Sequence, residues 1–70
     1  MFEGRTRLLI GQYYHNRRLL AEALSQYEQV RDDFPQSASS SMALYRTGLL
    51  HLQEYGDTEL ANEYLEEANR

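Results

Sequence analysis

Seventy residues, 41% apolar and 26% charged, specify one small domain with a thin core: so short a chain removes only about 60% of its unfolded surface from water, yet it is too apolar for a disordered tail. A net charge of −4 argues against attraction to phosphate backbones, hence against nucleic acid as a partner, and no run approaches the ~20 apolar residues of a membrane span, so no membrane insertion is expected. With no cysteine, disulfides and thiolate metal sites are excluded and a cytoplasmic and a periplasmic home both stay open; the opening MFEGRTRLLIG lacks the apolar stretch and cleavage site of a signal peptide.

Strand signals are scarce and helical periodicity is strong, so an all-α fold is expected. The first helical stretch covers residues 5–16 and is closed by Asn16-Arg17-Arg18, where Asn16 tolerates a left-handed turn. Over 19–34, Leu20, Ala23, Leu24, Tyr27, Val30 and Phe34 recur at three- and four-residue steps and line one helix face. Pro35 cannot continue that helix and pushes Phe34 out of the helical region, and Ser37 offers a side-chain oxygen to the next helix. The segment DDFPQSASSS is thus a stop followed by a start, not a flexible tether.

The third stretch, 38–54, is apolar almost all round, with Met42, Leu49 and Leu52 on one stripe and Ala43, Leu44, Gly48 and Leu50 or His51 on another. A middle helix sandwiched between neighbours accounts for this, and so does a stripe kept open for a peptide. Tyr55-Gly56 closes the stretch, Gly being free to take positive φ. Asp57 caps the last helix, 57–69, which turns Leu60, Ala61, Tyr64, Leu65 and Ala68 inward and places Glu59 at its positive end. Breaks this short make antiparallel neighbours, hence two helix pairs.

The pairs are self-similar. Gly11 and Gly48 are 37 residues apart, and Ala23 and Ala61, Tyr27 and Leu65, Val30 and Ala68 are each 38 apart. A helical Gly costs roughly 1 kcal/mol relative to Ala, so two at matching places point to tight approach of the partner helix.

Ile10-Gly11-x-x-Tyr14, then Ala23-x-x-x-Tyr27-x-x-Val30 and the closing Pro35 resemble the tetratricopeptide repeat pattern. The second copy carries Gly48, Ala61, Leu65 and Ala68; it departs in a longer gap before Gly48, one added residue near Tyr55, and His51 where Tyr is usual. The resemblance covers nearly the whole chain, with repeat one at about 4–35 and repeat two at about 38–70. It implies two antiparallel pairs stacked as a short right-handed superhelix, a solenoid fragment in a single domain. The stretch Phe34-Pro35-Gln36-Ser37 followed by Ala43-Leu44-Tyr45-Arg46-Thr47-Gly48 resembles the repeats of bacterial envelope proteins of the Tol-Pal and outer-membrane-assembly type, which implies a bacterial envelope setting.

What the resemblance implies about function is a non-enzymatic scaffold that binds a peptide or partner protein, as part of a larger protein or complex. Its groove-facing spacing falls on Arg5, Leu8, Gln12, His15 and Asn16 in the first repeat and on Met42, Tyr45, Leu49, Leu52 and Gln53 in the second. The family's carboxylate clamp is not met, for the chain has no Lys. Among the tyrosines, Tyr27 and Tyr64 fall on core faces, whereas Tyr13, Tyr45 and Tyr55 suit contact surfaces. The alternative to a peptide-binding scaffold is structural: a terminal helix that nothing caps lends itself to self-association through residues 57–70.

Catalytic and metal chemistry lack support in the sequence, and no cofactor is expected. His15 and His51 have no His-x-x-x-His, Glu-x-x-His or Cys partner. The adjacent acids Asp32-Asp33 and Glu66-Glu67 point ~100° apart on a helix and cannot converge on one bond. Ser39 to Ser41 lack the context of an activated nucleophile.

Overall fold

A computed structural model describes residues 4–69 and is all-helical over them: α1 (Arg5–Asn16), α2 (Leu20–Asp33), α3 (Ala38–Tyr55) and α4 (Thr58–Ala68). α1 packs on α2 and α3 on α4 as two antiparallel pairs; α2 lies against α3 and joins the pairs, while α1 touches α3 only lightly. The result is a plate of 34 × 28 × 13 Å. It buries little: Leu8, Ala23, Tyr27, Val30, Ala43 and Leu50 form the central apolar cluster, with Tyr14, Leu20 and Leu24 packed around it.

Both glycine seats are filled by the other helix of the pair. A Cβ added at Gly11 would lie 2.6 and 2.8 Å from ring carbons of Tyr27, and one at Gly48 would lie 2.9 Å from Cγ of Leu65 and 3.1 Å from the carbonyl oxygen of Ala61. Tyr27 and Leu65 are the residues that the self-similarity pairs, so each glycine receives the corresponding side chain. Ala23 and Ala61, at 0% and 1% exposure, complete the close approach, since a larger residue there would hold the helices apart.

The joint between the pairs is stitched by Ser37. Its hydroxyl donates to the carbonyl of Phe34 at 2.8 Å and accepts from the amide of Ser40 at 3.0 Å, capping α3. Phe34 leaves the helix at φ −135°, ψ 59°. Asp57 caps α4 through Oδ1, which accepts from the amide of Leu60 at 3.1 Å, and Gly56 ends α3 at φ 64°, a conformation that Gly adopts without a Cβ clash.

The first turn corrects one expectation. Asn16 is helical, and the left-handed residue is Arg18, at φ 64°. α1 ends at Asn16, as its range of 5–16 predicts, with the amide of Arg17 bonding back to Tyr13 and Tyr14 and that of Leu19 to Tyr14. Arg18 is then held by a contact far along the chain: its Nη1 donates to Glu54 Oε2 at 2.7 Å.

Candidate interaction surface

The Arg18–Glu54 pair ties the end of α1 to the end of α3. Because α2 runs antiparallel to both, α1 and α3 lie parallel with their C-terminal halves at the same end of the plate. Offset by 37 positions, Gln12, His15 and Asn16 of α1 correspond to Leu49, Leu52 and Gln53 of α3. Leu52, Gln53 and Asn16 are exposed, and Gln12, His15 and Leu49 are half-buried. Nearer the other end, Arg5, Met42 and Tyr45 are also exposed.

Leu8 is the exception among the groove positions. It is 7% exposed and belongs to the central cluster, because the second pair stacks over the first and closes the space above it. Its counterpart Tyr45 is 46% exposed. Leu49, half-buried, contributes to packing while part of it stays accessible.

The aromatic residues divide largely along the expected line. Tyr27 is sealed at 1% exposure, while Tyr13, Tyr45 and Tyr55 are open; Tyr64 is half-buried. Burial raises the Tyr27 phenol above its ordinary range, against the opposing charge of Arg46. The two histidines have separate engagements. Nδ1 of His15 lies 3.5 Å from the Tyr27 hydroxyl, whereas His51 stacks on Tyr64 with ring centroids 5.5 Å apart and planes 3° from parallel. His51, at the position of Tyr14 in the first pair, thus presents a flat surface that an aromatic neighbour covers. Arg17 sits over the Tyr13 ring at 5.0 Å, a cation–π contact that, with Arg18, accounts for the basic pair at this turn.

Sequence reasoning did not locate the open cavity of about 430 Å³ at the far end of the plate, lined by Ala38, Ser41, Met42, Tyr45, Ala68 and Asn69. The signal was present in the offset: Ser41, Met42, Tyr45, Ala68 and Asn69 are residues whose counterparts in the first pair lie at or beside the joint. A second cleft of about 400 Å³ at the joint contains Arg31, Gln36, Ser40, Ser41 and Glu67. Partial burial weighs against the charge of Arg31, but the adjacent Asp32 carboxylate, with help from Tyr64 and Glu67, raises its pKa overall.

On α4 only Ala61 is fully buried, with Leu60, Tyr64, Leu65 and Ala68 half-buried. The inward face expected of this helix is thus only partly covered apart from Ala61; Arg70, the end of the segment proposed for self-association, lies outside the described residues. Among the described residues no helix is long and apolar enough to cross a membrane. No protein-family model, curated protein or solved structure matches the chain.

Proposed function

We propose that this chain is a non-enzymatic protein-interaction module of two tetratricopeptide-like repeats, which holds a peptide along the strip formed by α1 and α3. What supports this reading is that α1 and α3, tied at their ends by Arg18 and Glu54, carry Gln12, His15 and Asn16 and Leu49, Leu52 and Gln53 at corresponding positions of their C-terminal halves. This arrangement offers apolar contact from the leucines flanked by side chains able to hydrogen-bond a peptide backbone. The repeat class itself is supported by the doubled glycine seat, since Gly11 with Tyr27 and Gly48 with Leu65 repeat one packing device at one spacing. A bacterial envelope setting follows from the same resemblance and is part of the proposal.

Titration of the isotope-labelled chain with a peptide library tests the reading. Binding is expected to move the amides of Gln12, Asn16, Leu52 and Gln53 and to leave α4 unmoved. Leu52→Glu should weaken binding about tenfold or more, as burial of an unpaired charge requires, without lowering Tm, because Leu52 is 42% exposed. Shifts confined to other surfaces, or an unaltered affinity in Leu52→Glu, would overturn it.

A second reading, self-association through the α4 end, is favoured by the cavity at Met42, Tyr45 and Ala68. Concentration-dependent mass is its test.

A further inference from the structure

We infer that the cleft at the joint between the helix pairs binds a small zwitterion, an α-amino acid whose carboxylate pairs with Arg31 and whose ammonium pairs with Glu67. The cleft shares no residue with the strip on α1 and α3. Its two charges arrive from distant parts of the chain, Arg31 from the last turn of α2 and Glu67 from the end of α4. Pro35 and Gln36 of the joint, with Ser40 and Leu44 of α3, complete a space of about 400 Å³, within the usual range of small-molecule sites.

The two charged walls stand apart. Among the described residues the ion pair of Arg31 is with Asp32, Nε to Oδ1 at 3.2 Å. That contact leaves the two terminal guanidinium nitrogens, a fork shaped for a carboxylate, without a hydrogen bond. Glu67 has no ion pair among the described residues, although its field reaches Arg31. A third group points to a ligand independently. Ser40, the most buried of the lining residues at 1% exposure, has a hydroxyl with no hydrogen-bond partner. Buried hydroxyls are rarely left unpaired, and a ligand in the cleft supplies what Ser40 lacks.

Charge decides the class of ligand. A plain anion drawn to Arg31 would meet the carboxylates of Asp32 and Glu67, and a plain amine drawn to Glu67 would meet Arg31. A molecule with both signs on one carbon meets each wall with its opposite. Leu44, buried, and Pro35 add an apolar wall suited to a short aliphatic side chain. Bound there, the amino acid touches α2, α3 and α4 and pins the second pair to the first.

Titration of the isotope-labelled full chain with L-alanine tests this, against N-acetyl-L-alanine, which lacks the ammonium, and L-alaninamide, which lacks the carboxylate. L-Alanine is expected to move the amides of Gln36, Ser40 and Ser41 along one saturable curve and to raise Tm with ligand concentration. Each derivative should bind at least about tenfold more weakly, because it leaves one wall charge unmatched. Arg31→Gln and Glu67→Gln, at half-buried and exposed positions, should weaken L-alanine to a similar degree. Ser40→Ala should weaken it about fivefold with Tm no lower than wild type, since the hydroxyl removed has no partner to lose. A serine of purely structural use would move Tm and leave affinity alone. The comparison of the three ligands is made on the wild-type chain and holds whether or not a variant folds. N-acetyl-L-alanine binding as tightly as L-alanine would mark a plain anion site, and L-alaninamide binding as tightly a plain cation site. Either result would overturn the zwitterion, as would L-alanine leaving Gln36, Ser40 and Ser41 unmoved at every concentration.

Discussion

At Gly11 an added methyl would lie 2.6 Å from Cε1 of Tyr27, closer than side chains tolerate, and the ring it meets is sealed and cannot swing away. Gly48 meets a more yielding neighbour, for Leu65 is only half-buried. Replacement by Ala would gain about 1 kcal/mol of helix propensity at either site, against about 1–3 kcal/mol for overpacking. The rigid ring makes the second effect win at Gly11. Gly11→Ala is therefore expected to lower Tm by several degrees and Gly48→Ala by less, about 4–8 °C corresponding to each 1 kcal/mol in a domain this small. Thermal denaturation of the two variants checks the order.

Tyr27 also sets a pH dependence. Burial holds its hydroxyl protonated above the ordinary value of 10.0, so the unfolded chain gives up this proton first as pH rises. The stability is fully present below about pH 10 and is lost as pH climbs through the folded-state value, at a rate of up to about 1.4 kcal/mol per pH unit for one proton. Tyr27→Phe should remove its share of that alkaline slope while also losing the contact to His15. Urea titrations at neutral and alkaline pH measure both effects, and an unchanged slope would show that Tyr27 ionises alike in both states.

At the scale of elements, the chain is governed by where helices start and stop. Ser37→Ala and Asp57→Ala each remove one side-chain acceptor from a helix N-terminus and should each cost about 1 kcal/mol. The caps serve different helices and share no partner, so the double variant should show the sum, measurable as additive shifts in urea midpoint. All of this local chemistry was legible in the sequence: Pro35, Ser37, Gly56 and Asp57 act on amides within a few residues of themselves. Leu52 and Gln53, both exposed, were named through the groove-facing spacing that the repeat resemblance implies. Two features were not legible. Arg18 takes the left-handed conformation through its place in the turn, with a partner 36 positions on, and nothing in its residue type announces that. Leu8 is buried because the second pair lies over the first, a fact of stacking that a one-helix pattern cannot hold.

For the whole molecule the governing fact is thinness. A plate 13 Å through its short axis leaves most side chains within reach of water, and the fully buried apolar residues are few. α3 is gripped by α2 on one side and α4 on the other, while α1 and α4 lie at the edges. Stacking a further unit on either edge would bury apolar area without altering either pair, so stability should rise with association. Raising protein concentration is thus expected to raise the wild-type Tm and to leave that of Tyr45→Glu unmoved. Scanning calorimetry at two concentrations provides the comparison.

The sealed ring of Tyr27 has an optical consequence. The chain contains no tryptophan, and the other five tyrosines are open or half-covered, so asymmetric absorption in the aromatic band arises largely in the first hairpin. Amide circular dichroism, by contrast, sums over all four rods. Following one heating ramp at both wavelengths therefore separates loosening of one hairpin from collapse of the pair, with no label attached.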